Sequence, residues 1–162
     1  MRAGTGYDIH RFRDDGSTEG LRLGGIDVPG APQLEGHSDG DALIHALCDA
    51  LLGAAGEGDI GQHFPPGERE TEGIDSRVLL TRIVRLIAAR GFRVHNADAT
   101  VIAERPKLAP HLGAMRDSIA HTLGVEPSAV NVKATTNEGL DAIGEGRAIA
   151  AMAIVLIEEI AP

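Results

Sequence analysis

Asp8 and His10 stand two positions apart in a short stretch, TGYDIHRF, residues 5–12. In an extended strand, side chains at i and i+2 share a face. A carboxylate and an imidazole would then project side by side, either as a satisfied polar pair or as two arms of a metal site. His45 offers a third arm. It lies in HSDGDALIHALCDALLGAAG, residues 37–56, where Asp41, His45 and Asp49 recur every four positions. Everything else from Ala42 to Leu52 is apolar or small, so helical spacing makes one narrow polar stripe. One carboxylate with two imidazoles and a fourth vertex left open suits a catalytic Zn²⁺. The alternative is a core histidine bonded to Asp41 or Asp49. Three candidate ligands with further chemistry beside them favour the metal.

That further chemistry begins with His37 and Ser38, just ahead of the same helix. Ser38 and Asp41 have capping-box spacing, and the free N–H groups of a helix start attract anions. Capping alone explains Ser38 but not His37, which can donate to a phosphate. In AERPKLAPH, Arg105 and Lys107 sit at a strand-to-helix junction, where a cation and backbone amides suit a phosphate or a nucleobase edge; a solvated basic turn is the alternative. KATTNE ends a strand with Thr135, Thr136 and Glu138. Hydroxyls suit phosphate oxygens, and a lone carboxylate suits Mg²⁺ or Mn²⁺. Asp59 and Gly61 in EGDIGQHF mark a turn that allows close backbone approach. His63, His95, His111 and His121 lack partners at ligand spacing and read as surface or structural residues.

The elements that must position these groups alternate between strand and helix. Strands are expected over 2–12, 21–29, 92–104, 129–136 and 148–159, and helices over 42–56, 75–91 and 106–124. Leu79, Ile83, Leu86 and Ile87 keep helical spacing in the second helix, and Leu112, Met115, Ile119 and Leu123 in the third. With no internal repeat or dividing linker, the expectation is one domain over 1–162. Its fold class is α/β: an α+β two-layer sandwich, a mixed β-sheet with helices on one face. The last strand, AIAAMAIVLIEE, is apolar on both faces, so it is either a central strand buried within the chain or a face covered by other subunits.

Bulk composition excludes several classes. At 162 residues, 43% hydrophobic and 24% charged, the chain is globular. Its net charge of −9 and lack of a basic stripe argue against nucleic acid. No apolar run reaches the roughly 18 residues of a membrane helix. MRAGTGYD lacks a signal-peptide core, so a cytoplasmic location is expected. Cys48 is the single cysteine, which rules out an internal disulfide; its apolar setting suits packing rather than nucleophilic attack.

Taken together, DIH, then HSDGDALIHALCDALLGA, GDIG, RPKLAPH and NVKATTNE resemble the 2-C-methyl-D-erythritol 2,4-cyclodiphosphate synthase family at matching spacings over nearly the whole chain. The resemblance implies that Asp8, His10 and His45 bind Zn²⁺ and that Glu138 carries a second divalent ion, Mg²⁺ or Mn²⁺. It implies that His37 and Ser38 contact the diphosphate and the phosphate it reacts with, and that Thr136 positions the diphosphate. His37 and Thr136 would be the catalytic residues. Asp59 and Gly61 would contact the methylerythritol part, with Ile60 and Phe64 beside them. The tract Ala103 to Ala109, with Lys107, would hold the cytidine end, and Thr135 and Asn137 would complete the substrate contacts. The implied substrate is a cytidine-diphosphate-containing small molecule, 4-diphosphocytidyl-2-C-methyl-D-erythritol 2-phosphate. The implied reaction is intramolecular cyclisation with loss of CMP, a step of the non-mevalonate isoprenoid pathway. The implied assembly is a homotrimer, with sheets facing inward and active sites between subunits.

Three departures from the family accompany this resemblance. Pro66 and Glu68 stand where the family usually has two Asp residues, and Asn137 where Thr is common. In GLDAIGEGRAIA, Ala142 replaces a Phe, Glu145 an Arg and Arg147 a Glu, in a tract associated with an isoprenoid diphosphate on the trimer axis. Weak or absent binding of such a ligand is expected. Two other functions share the same residues: a zinc phosphohydrolase of similar architecture, and a non-catalytic trimer that binds metal and nucleotide.

Overall fold

The computed structural model describes residues 1–65, 67 and 72–160. Strands β1 (Arg2–Arg11), β2 (Gly20–Leu23) and β3 (Ile26–Pro32) precede helix α1 (Ala42–Ala55), the single turn α2 (Ile60–His63) and α3 (Ser76–Ala89). Strand β4 (Phe92–Ile102), α4 (Leu112–Leu123), β5 (Val130–Thr135), the short α5 (Asp141–Gly144) and β6 (Ala148–Glu159) follow. Four strands form one mixed sheet in the order β1-β6-β4-β5. β6 runs antiparallel to both its neighbours, and β5 runs parallel to β4. Among the described residues, no helix is long and apolar enough to cross a membrane.

Two expected elements differ. Residues 21–29 do not form one strand but turn back as the β2–β3 hairpin, a separate two-stranded sheet. Gly24 and Gly25, at φ +63° and +74°, make the two-residue turn that a hairpin favours. The helix expected over 106–124 begins only at Leu112, after one 3₁₀ turn at Ala109–His111. Pro110 has no N–H to give to a longer helix and is tolerated only in a first turn. Pro66 and Glu68 lie outside the described residues.

Strand β6 shows why the two sheet faces differ. Ile149, Ala151, Ala153, Val155 and Ile157 are buried against the helices, whereas Met152 and Ile154 between them are 55% and 52% exposed. On edge strand β1, Tyr7 pairs opposite Met152 and Ile9 opposite Ala150, and they are 53% and 43% exposed. Helices α1, α3 and α4 thus cover one face. Among the described residues, the other face is roofed only at one corner, where Ile143 of α5 packs with Ile102, Ala148 and Ala150. Of the two readings of the last strand, burial of both faces within the chain does not hold among the described residues: one face stays open, apolar along β1 and β6 at Tyr7, Ile9, Met152 and Ile154 and polar along β4 and β5 at Asp98, Thr100, Asn131 and Lys133.

Helix α1 is apolar on nearly every side because it lies between the sheet and α3. It approaches β1 unusually closely. A Cβ on Gly4 would fall 2.0 Å from the carbonyl oxygen of Ala50, and one on Gly6 only 1.9 Å from that of Ala46. Gly4, Gly6, Asp8 and His10 alternate onto this same face, so the glycines that admit the helix also bring the next two side chains to it. Asp41 anchors the helix start. Fully buried, it accepts hydrogen bonds from the backbone N–H of Ile44 (3.0 Å), Gly24 (2.9 Å) and Gly25 (2.7 Å). It therefore caps α1 and ties it to the hairpin turn. Cys48 is buried in the same helix.

Gly6→Ala is expected to lower the unfolding free energy by about 3 kcal/mol, because backbone must move to admit the methyl group. Gly53→Ala, in the same helix but with its nearest neighbour 4.0 Å away, is expected to raise it by about 1 kcal/mol through helix propensity. Urea unfolding of both variants checks the contrast.

Candidate active site

Strand β1 presents Asp8 and His10, and α1 presents His45, to one point. Asp8 Oδ2 lies 2.8 Å from His10 Nε2 and 2.9 Å from His45 Nδ1. The two ring nitrogens are 3.2 Å apart, with the rings edge to face at 69°. Among the described residues, this is the one group of three acidic, His or Cys side chains whose ligand atoms converge in this way. Around a tetrahedral Zn²⁺, ligand atoms stand about 3.3–3.6 Å apart, given bonds of about 2.0–2.2 Å. A small outward shift of these three atoms reaches that geometry, so the donor set fits such an ion and leaves one vertex open. Side-chain exposure is 25% at Asp8, 21% at His10 and 12% at His45, so the group is sheltered but reachable.

The electrostatics suit a cation. Burial pushes the Asp8 carboxyl up, but hydrogen bonds and charge from His10 and His45 outweigh it and hold the group well below the usual carboxylate range. Burial lowers the His45 pKa, yet the Asp8 carboxylate more than offsets this and raises it. The polar stripe on α1 divides its labour. Asp41 serves the fold, His45 faces Asp8, and Asp49 accepts the Ile60 N–H at 2.8 Å. The alternative of a core histidine bonded to Asp41 or Asp49 does not describe His45, whose Nδ1 partners are Asp8 and His10.

A cavity of about 250 Å³ opens beside these three side chains, lined also by His37, Ser38, Asp49, Ile60, Gly61, Phe64 and Leu79. Asp59 does not line it; its carboxylate caps α2, accepting from the Gln62 backbone N–H at 3.0 Å. The volume is below the roughly 300–1,000 Å³ of ordinary ligand sites. Behind His45 lie Ser76 and Asp39, which spacing did not single out. Its Nε2 is 3.0 Å from Ser76 Oγ and 2.9 Å from Ser38 Oγ, and Ser76 Oγ in turn donates to Asp39.

The remaining expected residues lie elsewhere. Thr135 ends β5, at the sheet edge opposite β1. Its register row runs Thr135–Ile102–Ala150–Ile9, on the open face rather than the helix face. Three strand spacings separate the two edges, roughly 14 Å. Beside Thr135, Ala103 donates its N–H to the Thr135 carbonyl at 3.0 Å, which fixes the tract carrying Lys107 and Ala109. Thr136 Oγ1 accepts the Glu138 N–H at 3.3 Å, and Asn137 donates to Asp141 at 2.8 Å. Glu138 and Asp141 are held at φ +51° and +56°, the left-handed region that side chains other than Gly rarely occupy. Among the described residues, the two groups of expected site residues therefore sit toward opposite edges of the sheet. A wider groove of about 630 Å³ runs past Ile9, Arg11, Arg13, Arg105, Ala142 and Arg147. There Arg105 donates to the Gly146 carbonyl at 3.1 Å, and Arg147 donates to Glu145 at 2.7 Å.

The sequence matches the YgbB family over residues 1–158. The 2-C-methyl-D-erythritol 2,4-cyclodiphosphate synthase of Gloeobacter violaceus is 53% identical over 161 residues, covering 98% of this chain and 96% of the relative. That of Alkalilimnicola ehrlichii is 55% identical over 157 residues, covering 97% and 94%. Among solved structures, a CDP-bound 2C-methyl-D-erythritol-2,4-cyclodiphosphate synthase superposes with a TM-score of 0.87 at 38% identity, covering 97% of this chain and all (100%) of that one. The CDP complex of IspF from Plasmodium falciparum gives 0.85 at 33% identity, covering 99% and 97%. Sequence kinship over nearly the full length, together with a shared fold, shows that the chain belongs to the YgbB family of 2-C-methyl-D-erythritol 2,4-cyclodiphosphate synthases.

Proposed function

We propose that this protein converts 4-diphosphocytidyl-2-C-methyl-D-erythritol 2-phosphate to 2-C-methyl-D-erythritol 2,4-cyclodiphosphate and CMP, in the non-mevalonate route to isoprenoid precursors. The observation that carries this reading is the convergence of Asp8, His10 and His45 beside His37 and Ser38, in a chain at least half identical to enzymes of that name. In the reaction, an oxygen of the 2-phosphate attacks the β-phosphorus. The bond from that phosphorus to the oxygen of CMP breaks, and an eight-membered ring closes. The nucleophile is already an anion, so no general base is needed.

The protein's tasks are then alignment and charge neutralisation. His37 and Ser38 donate hydrogen bonds to phosphate oxygens, while Ile60, Gly61 and Phe64 enclose the methylerythritol part. Asp59, which caps the turn that bears them, contacts the same part of the substrate. Ala103 to Ala109, with Lys107, hold the cytidine end, and Thr135, Thr136 and Asn137 orient the diphosphate. Asp8, His10 and His45 would hold a zinc ion and Glu138 a Mg²⁺ or Mn²⁺; such ions would supply Lewis-acid charge worth about a thousandfold each if each contributed on the order of 4 kcal/mol. The local cations also make the net charge of −9 tolerable for an anionic substrate.

The working unit is a homotrimer of single-domain chains in the cytoplasm, with each active site between adjacent subunits. Two features support this assembly. An apolar face built on Tyr7, Ile9, Met152 and Ile154 is open in one chain, and open patches of this kind mark interaction surfaces. The cytidine half and the metal half lie on opposite sheet edges, so a neighbouring copy would supply the missing half.

Purified protein given the substrate with zinc and magnesium is expected to release CMP and show a cyclic diphosphate by phosphorus NMR; linear phosphates instead would mean a hydrolase. His45→Ala is expected to lose zinc, measured by metal analysis, and nearly all turnover, while its oligomeric state persists. Full activity in that variant would overturn the ligand assignment. Ile154→Lys, which puts a charge on the open face, is expected to run as a monomer in light scattering and to lose most activity. Arg147 is already paired with Glu145, so calorimetric titration with geranyl diphosphate is expected to show weak or no uptake.

A further inference from the structure

We infer that Asp39 and Ser76 form a positioning relay that fixes the proton of His45 on Nε2 and turns the Nδ1 lone pair toward Asp8 and His10. The inference rests on reading those three residues as a metal site, and it concerns two residues outside the ligand set. Ser76 is the first residue of α3 and is completely buried; Asp39 is 8% exposed.

The argument is an accounting of protons. Asp39 only accepts: its Oδ1 takes the Ser76 hydroxyl proton and the Asp41 N–H, and its Oδ2 takes the Ser76 N–H at 3.0 Å. Arg22 stands 3.9 Å away and adds positive charge beside that carboxylate. A serine hydroxyl has one proton, and that of Ser76 is committed to Asp39. Toward His45, at 3.0 Å, Ser76 can therefore only accept, so Nε2 must carry a hydrogen. Only one ring nitrogen then remains to ligate, and it is Nδ1, 2.9 Å from Asp8 and 3.2 Å from His10. A partner on the far nitrogen fixes ring orientation and strengthens the ligating one; losing such a partner typically weakens metal binding about 10- to 100-fold.

Ser38 touches the same nitrogen at 2.9 Å but has no carboxylate behind it. It shares the Nε2 hydrogen as a second acceptor, and its own proton can go either to Ser76 Oγ, 3.4 Å away, or to an anionic oxygen in the cavity it lines. The two serines contact one atom with similar geometry, yet their roles differ: Ser76 orders the ring, and Ser38 serves the ligand.

The test uses the full chain and Zn²⁺ alone, titrated against a competing chelator. Ser76→Ala is expected to weaken zinc binding about 10- to 100-fold, and Ser38→Ala by less than about threefold. Equal losses in the two variants would overturn the relay. A second measurement needs no variant: nitrogen NMR of the histidine-labelled wild type, zinc-loaded, should show His45 Nδ1 bound to metal and a slowly exchanging hydrogen on Nε2. Zinc on Nε2, or a hydrogen on Nδ1 alone, would overturn it even if Ser76→Ala fails to fold. Should the wild type bind no zinc, the metal-site reading fails, and the relay is then judged on whether Nε2 carries a hydrogen in the metal-free chain.

Discussion

The backbone of α1 rests on the backbone of β1, and the rest of the site follows from that contact. Two glycines on the strand and small residues on the helix remove the side-chain layer that normally keeps such elements apart. Without that close seat, an imidazole on the helix could not reach the short carboxylate of Asp8. The same seat forces α1 to be apolar around nearly its whole circumference, because it is enclosed by the sheet on one side and by α3 on the other. Asp41, the N-cap at the head of the polar stripe, is buried with its partners supplied. Its three backbone donors satisfy a fully buried carboxylate and fix where the helix begins.

Around this contact the polar groups are arranged in layers. The Asp8, His10 and His45 side chains meet at the edge of a small cavity, backed by Ser38 and Ser76 and then by Asp39. Asp49 uses its carboxylate to hold the α2 turn, whose residues Ile60 and Gly61 form the cavity wall. The apolar and polar parts of the site therefore depend on the same helix, and a change in its seating would disturb ligand geometry and cavity shape together.

Much of this was legible in the sequence, and the limits have physical causes. Asp8, His10 and His45 could be read because period two and period four each place side chains on one face, and few polar residues interrupt those faces. The roles of Asp41, His45 and Asp49 could not be divided, since helical spacing is identical for all three and only the neighbours β1, the hairpin and α2 distinguish them. Ser76 and Asp39 went unread because a serine after Asp75 resembles an ordinary helix start, and its partner is 37 positions away. The hairpin was missed although its signal, two adjacent glycines between apolar runs, was present. The open sheet face is not decidable from sequence, because an apolar strand looks alike whether its cover comes from its own chain or another.

The separation of β1 from β5 by the width of the sheet has a genetic consequence. If unlike edges of neighbouring copies meet to build each catalytic centre, a lesion near His45 and a lesion near Thr136 damage different contributors to that centre. Two defective alleles expressed together would then assemble some centres from the two undamaged contributions, and each would rescue the other. A single allele carrying both lesions would instead spoil the centres on either side of it, and would act as a dominant poison when mixed with the normal product.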